Sequence, residues 1–291
     1  MNLRTLQIMS QKGQNKIKKN NHVIPRCLLK QWVTFEDNRY GVHVYEIPKK
    51  KYSYSHPKNQ RGYSFAIEDY IYVPIDEDER SNNLEDWLSG LETTFDAFVL
   101  KIKGATGKPL FNSLEEYSRL LMALLSFNNR SVYDISLLKK HYTDYPKQKL
   151  LVCPDPRIGV ELLVLQNLVY SVTELAQEYR NCRITVYVND KGNFLLCDRP
   201  FLNEPIPCVS FLPITPYLCI SIDRTKPNFY TYEKIDEKLL NKINETIVQR
   251  ARKWIISRDK KGLERIAHYC RAFDITDGFE THKVKYPQNV R

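Results

Sequence analysis

The chain has 291 residues, 42% of them hydrophobic, and 44 Lys plus Arg stand against 34 Asp plus Glu, a formal charge of +10. Length and composition are those of a globular protein with a large core, and the basic excess favours an anionic partner, whether nucleic acid, nucleotide or membrane surface. Seven scattered cysteines with no C-x-x-C pair argue against a disulfide framework or a zinc site and fit a reducing cytoplasm.

The first twenty residues carry Arg4, Lys12, Lys16, Lys18 and Lys19 with no acid and little to bury, so a basic, disordered arm is expected over 1–20. No apolar segment follows it, which argues against a signal peptide. After Pro25, the spacing of Cys27, Leu28, Trp32 and Val33 predicts a short helix with proline in its first turn. "YGVHVYEI" (40–47) and "IEDYIYV" (67–73) read as strands, with an irregular Lys- and Tyr-rich loop between them. Over 84–103, Leu84, Leu88, Leu91, Phe95, Val99 and Ile102 share one helical face. A second helix, "SLEEYSRLLMALLSFNNR", opens with Ser113 and Glu116 in capping-box spacing, and a third covers roughly 158–180. Strands return at 182–188 and 193–197, where Asp190, Lys191 and Gly192 mark a hairpin, and "VSFLPI" and "YLCISI" extend the sheet. The apolar stretch containing those two segments is too short and too proline-broken to span a bilayer, so no membrane partner is expected. A last long helix over about 236–258, a shorter one near 261–271 and a polar tail over 276–291 close the chain. The whole predicts an α+β fold: one domain over 21–275, a helical layer packed with a mostly antiparallel β-sheet.

Polar residues on apolar faces are the informative ones. Asn128 falls on the stripe of Leu114, Leu121 and Leu125; Asn167 falls with Val160, Leu163 and Val164, and Glu174 one step along. Burying such groups costs a few kcal/mol each unless they are hydrogen-bonded or line a wet pocket. Glu85, Glu92 and Asp96 form a second stripe on the 84–103 helix, at a boundary that can face solvent or a cleft. In "LLCDRPF" (195–201), Asp198 and Arg199 stand at a strand end, where they can enter a site or simply turn the chain.

"HVIPRCLLKQW" followed by the "VHVYEI" strand resembles the opening of the domain of unknown function 4238 family, whose members begin His-x-x-Pro-Arg. "LEDWLSGLETTFDAFVLKI", "LLSFNNR", "LLCDRPF", "FLPITPYLCISI" and "INETIVQRARKWI" resemble its later landmarks in the correct order, over about residues 20–258. The resemblance implies that His22, Arg26, Glu92, Arg130, Asp198 and Asn244 occupy motif positions. Two positions depart from the family pattern: Cys197 replaces a usual Ser and Arg199 a usual Asn. The first removes a hydroxyl nucleophile, and the second brings positive charge to the mouth of the site.

Arg26 and Arg130 offer planar forks for phosphate or carboxylate, Glu92 and Asp198 a general base or ligands for a divalent cation, and His22 a proton carrier. Arg199, Asn128 and Asn244 complete the expected pocket as substrate-binding groups. That inventory predicts a hydrolase-type effector acting on a phosphate-containing substrate, nucleic acid or nucleotide, in a toxin or anti-phage setting. The alternative is a non-catalytic anion-, nucleotide- or partner-binding module in which the same charges form a structural ion-pair network. No P-loop, dinucleotide, zincin or nucleophile-elbow motif occurs. Residues 238–265 are rich in Lys and Arg, among them Arg250, Lys253, Lys260 and Lys261, and this run is the expected track for a phosphate backbone. More often such a run is the solvated face of a helix, here one whose core stripe is Leu240, Ile243, Ile247, Ala251 and Trp254.

Overall fold

A computed structural model describes residues 17–57, 63–76, 79–104, 111, 113–146, 159–227, 230–264 and 266. The first sixteen residues of the expected arm, the expected tail over 276–291 and the far half of the helix near 261–271 lie outside these. Residues 17–20 are attached. The Lys18 amide donates to Asn82 Oδ1 at 2.9 Å, and the Lys18 and Lys19 ammonium groups pair with Asp86 and Asp69 at 2.7 and 3.2 Å.

The N-terminal third is a set of short pieces. Strand β1 (Asn20–His22) leads into helix α1 (Arg26–Leu29), whose N-cap is Pro25, and a 3-10 turn carries the chain to Trp32. Strands β2 (Thr34–Glu36) and β3 (Arg39–Glu46) pair across a two-residue turn. There Asp37 and Asn38 take φ of 48° and 61°, the left-handed geometry such turns require. The Lys- and Tyr-rich stretch expected to be a loop contains strand β4 (Lys51–Ser55), paired along β3 from Val42 to Glu46. Its alternating Tyr52, Ser53 and Tyr54 carry the period-2 signal of a half-buried strand, which the flanking lysines mask. The second expected strand is shorter: β5 (Ile67–Asp69) pairs antiparallel with β1 and stops at Tyr70, where φ is 57°. A small hairpin, β6 (Ile75–Asp76) and β7 (Glu79–Arg80), precedes the helices.

Helix α2 (Asn83–Gly104) buries Leu84, Leu88, Phe95, Val99 and Ile102 as its spacing predicts. Helix α3 (Leu114–Leu125) starts on Ser113, whose hydroxyl accepts the Glu116 amide at 3.1 Å. It ends at Leu125, so Asn128 stands in a turn, and Leu114 is 74% exposed instead of sharing a buried stripe with it. Helix α4 (Val132–Asp144), absent from the sequence reading, begins immediately afterwards on a reciprocal cap: the Ser131 hydroxyl accepts the Asp134 amide at 3.1 Å and donates to Asp134 Oδ2 at 2.6 Å. Helix α5 (Val160–Glu178) completes this layer, and the Asn167 amide on it is satisfied by the Tyr142 hydroxyl at 3.0 Å.

The last third is mostly sheet. Strand β8 (Arg183–Val188) and the short β9 (Leu196–Cys197) do not form the expected hairpin. Gly192, at φ +66°, does turn the chain between them, but it hands it from one sheet to another. One sheet has the order β10 (Leu202–Ile206), β11 (Val209–Thr215), β12 (Leu218–Asp223), β8 and β13 (Tyr230–Lys234), antiparallel except where β13 runs parallel to β8. Helix α6 (Glu237–Arg250) follows, capped by Asp236, whose carboxylate accepts the Leu239 amide at 2.8 Å. The helix expected to reach 258 therefore ends eight residues early. Trp254–Ser257 is strand β14, fully buried and inserted between β3 and β9 in the second sheet, whose order is β2-β3-β14-β9 with β4 on β3. The β-branched pair Ile255–Ile256 favours the strand once tertiary pairing is offered.

Alternation along these strands divides the core in two. Leu212, Ile220, Leu196 and Ile256 face one cluster with the residues of α1, α2, α3 and α5. Their neighbours Phe211, Cys219, Cys197 and Ile255 face a second cluster with Leu240, Ile243 and Ile247 of α6 and Ala251 just after it. Trp254 belongs to the first cluster and not to the stripe of the helix. The protein is thus an α+β fold whose mainly antiparallel sheets lie between a helical layer and one further helix. Among the described residues no helix is long and apolar enough to cross a membrane, and Cys27, Cys182, Cys197, Cys208 and Cys219 are free thiols. Leu121 of α3 is fully buried, so Leu121→Ala is expected to cost about 2–5 kcal/mol in a denaturant melt. The exposed Leu114→Ala should stay within about 0.5 kcal/mol.

Candidate functional site

The residues singled out in the sequence separate into two charged centres joined by the loop 126–131. The first is built on the inner side of α2. Arg130 is 3% exposed and its Nη2 donates to Glu92 Oε1 at 2.9 Å. Asn129, at φ 57°, reverses the chain just before it. Asn tolerates this left-handed conformation better than most residues, and the turn aims Arg130 inward. Tyr72 packs under the guanidinium, its ring centroid 5.0 Å away, and donates its hydroxyl to the Arg130 carbonyl at 2.6 Å. Asn21 of β1, wholly buried, accepts the Tyr72 amide at 3.2 Å, so the N-terminal segment is tied to this centre.

The boundary stripe Glu85, Glu92 and Asp96 therefore turns toward the protein. Asp96 pairs with Lys30 at 2.6 Å. Glu85 was not among the expected site residues, yet its Oε2 is buried with no hydrogen-bond partner among the described residues, as is Arg130 Nη1. Burial pushes the Glu85 carboxyl up from 4.5 to about 7; Arg130 opposes the shift and Glu92 adds to it. The spacing of seven residues to Glu92 was the signal for it. Cys27 is close by, but burial first and Glu92 next raise its thiol well above the ordinary range, which leaves it a poor nucleophile.

The second centre surrounds the end of β9. Asp198 is 4% exposed and accepts the backbone amides of Arg252 at 3.0 Å, Lys253 at 3.3 Å and Trp254 at 3.4 Å. Burial raises its carboxyl and these amides pull it back. Its oxygens hold the turn between α6 and β14, remote in sequence, where the sequence suggested a local turn before Pro200. Burial, with Asp198 second, pushes the neighbouring Cys197 thiol up to about 12.

Arg199 reaches back to α4 and grips Asp134 through both nitrogens, Nη2 at 2.6 Å and Nε at 3.1 Å. Its guanidinium carbon lies 5.2 Å from the Tyr133 ring centroid, and that of Arg252 lies 5.2 Å from the same ring. Arg252 also donates to the carbonyls of Gln249 and Ala251 at 3.0 and 3.2 Å, closing the C-terminus of α6. Arg250 is the third member. Its Nε is buried, and its guanidinium forms no hydrogen bond or ion pair among the described residues. Burial, and after it the charge of Arg199, lowers its pKa. Asp134 and Tyr133 escaped the sequence reading because α4 did; the Ser-x-x-Asp spacing of 131–134 was the available clue.

The other expected residues stand apart from a single pocket. His22 is half-buried on β1 opposite Ile67, on the face of the strand away from Asn21. The β1–β5 ribbon reaches the second centre through the Lys253–Glu68 ion pair at 2.9 Å, and the turn before β5 reaches it through the Phe65–Trp254 ring contact at 5.6 Å. Arg26 is exposed at the start of α1 and pairs with neither Glu92 nor Asp198. Asn128 is buried and accepts the Asn203 amide at 3.2 Å. Asn244 on α6 clamps the chain entering β9, accepting the Leu195 amide at 3.1 Å and donating to the Asn193 carbonyl at 2.9 Å. Of the basic run, Lys260 pairs with Glu264 at 3.7 Å and Lys261 is exposed. Among the described residues no group of three His, Cys, Asp or Glu side chains could hold a metal ion.

The fold and these centres define an α+β protein with a buried Arg–Glu pair on one side of a connecting loop and an arginine cluster on the other. The chain belongs to the family described as "Protein of unknown function (DUF4238)", whose model matches residues 20–261. No curated protein and no solved structure matches it.

Glu85 gives this centre a pH signature. Its folded pKa is raised above the unfolded value, so the folded state holds the extra proton between pH 4.5 and about 7. Stability contributed by this group is therefore complete below 4.5 and falls as pH rises through 7. Glu85→Gln should raise stability at pH 8 by about 1 kcal/mol and flatten the slope between pH 5 and 8, read by urea unfolding at both values.

Proposed function

We propose that the protein binds a phosphate-bearing ligand, nucleic acid or nucleotide, through Arg199 and Arg252, which pack on the Tyr133 ring, and Arg250 beside them. The observation that carries this reading is Arg250: a partly buried guanidinium with no acceptor among the described residues, beside two others already committed to Asp134 and to backbone carbonyls. Asp134 offsets part of the like-charge cost that Arg199 and Arg252 impose on Arg250, and a phosphate oxygen between guanidinium forks would offset more. Tyr133 offers a ring for base stacking in the same place. The Arg130–Glu92 and Arg199–Asp134 pairs and the amide-capped Asp198 support the non-catalytic form of the reading, with those charges as structural connectors. Fluorescence anisotropy with labelled single-stranded RNA and DNA, and thermal shifts with ATP and GTP, test it. Arg250→Ala should weaken binding by about ten-fold or more and reduce its salt dependence. Binding that is absent, or insensitive to salt, overturns the reading.

One observation favours hydrolysis as the second reading. Glu85, held near neutrality beside Arg130 and Glu92, has the protonation behaviour of a general acid–base group. On that reading Glu85→Gln abolishes turnover of a phosphodiester or nucleotide substrate while the fold persists, and the wild-type rate follows a pKa near 7.

A further inference from the structure

The arginine cluster also sets which kind of phosphate fits it, because its donors are only partly used. Arg199 commits Nε and Nη2 to Asp134, and Arg252 commits Nη1 to the carbonyls of Gln249 and Ala251. All three arginines are half-buried, and Arg250 Nε is the one guanidinium nitrogen among them that is both closed to water and without a partner. Arg199 Nη1, Arg252 Nε and Nη2, and both Nη atoms of Arg250 therefore keep solvent access and have no acceptor among the described residues. Each of the three arginines thus presents at least one open nitrogen that can only donate.

Charge gives a second measure. After burial, the ionised groups that act on Arg250 are Arg199, Asp134 and Arg252. Three guanidinium groups against one carboxylate leave a double positive charge. Asp198 is 4% exposed and spends its oxygens on the amides of Arg252, Lys253 and Trp254, and Lys253 is neutralised by Glu68 at 2.9 Å. A phosphodiester inside a strand carries one charge and two terminal oxygens. A terminal monoester carries nearly two charges at about pH 7 and three terminal oxygens. The monoester matches both the charge and the three separate donors, whereas the diester leaves one guanidinium unmatched. Building on the phosphate-binding role of the cluster, we propose that it recognises a terminal phosphate monoester, that of a mononucleotide or of a phosphorylated strand end, in preference to an internal phosphodiester.

Isothermal titration calorimetry on the full chain tests this with two pairs of ligands. AMP is compared with the methyl ester of its phosphate, which keeps base and sugar but loses one charge and one terminal oxygen. A short oligothymidylate phosphorylated at one end is compared with the same strand bearing a free hydroxyl there. The monoester should bind at least about ten-fold more tightly in one pair or in both. A preference with AMP alone assigns a free nucleotide, and one confined to the oligonucleotides assigns a strand end. Arg250→Gln should narrow the preference to about two-fold or less at an unchanged melting temperature. Should that variant melt early, Arg250→Lys, which keeps the charge but not the fork, replaces it, with the same direction of change expected. Equal affinity within both pairs overturns the proposal and leaves phosphate binding in place, and a preference untouched by the folded variant overturns its assignment to this cluster. Binding of none of the four overturns the phosphate reading as well.

Discussion

One carboxylate organises the C-terminal half of the molecule. Asp198 ends β9, and its oxygens collect the amides of Arg252, Lys253 and Trp254 where α6 gives way to β14. Without an acceptor there, these amides would be stranded at the edge of a buried strand, at a cost comparable to several lost hydrogen bonds. With it, the chain leaves the helix at Arg250 and enters the second sheet at Trp254. The same turn puts Arg250 and Arg252 beside Arg199, the residue next to Asp198. The arginine cluster is therefore a by-product of how one strand is stitched to one turn.

The Arg130–Glu92 pair does the corresponding work for the helical layer. It joins the loop after α3 to the middle of α2, and Tyr72 and Asn21 extend it to the N-terminal ribbon. A buried ion pair adds little net stability over a well-packed apolar pair, but losing one partner strands the other charge. Such a pair fixes which surfaces meet. Glu85 is the member left without a matching cation of its own, since Arg130 is engaged by Glu92, and burial makes it the group in this layer that titrates near neutrality.

Much of the fold was legible because its signals are local. The α2 stripe, the Ser113 cap, α5, and the β11 and β12 strands follow directly from periodicity and capping. The misses have different causes. β4 pairs with its neighbour β3 but hides among lysines, and α4 follows α3 after a six-residue turn and packs on the next helix, α5. β14 continues the apolar spacing of α6, and its deciding partners, β3 and β9, are remote in sequence. The site shows the same division. Residue types at Glu92, Arg130, Asp198, Arg199 and Asn244 marked them as special, yet their partners were set by a helix and a turn that local pattern did not expose.

The amino-acid sequence alone determined the fold class, the family, the basic balance and the polar positions that had to be satisfied, because composition, periodicity and motif order are properties of the chain. Tertiary structure alone decided that these positions form two centres and not one pocket. A charged side chain at a given position pairs with whatever opposite charge or backbone amide folding brings within about 3 Å, and that distance is set by packing across the whole chain. It sent Arg130 to Glu92, Arg199 to Asp134 and Asp198 to three amides, and it left the Arg250 Nε buried without an acceptor among the described residues.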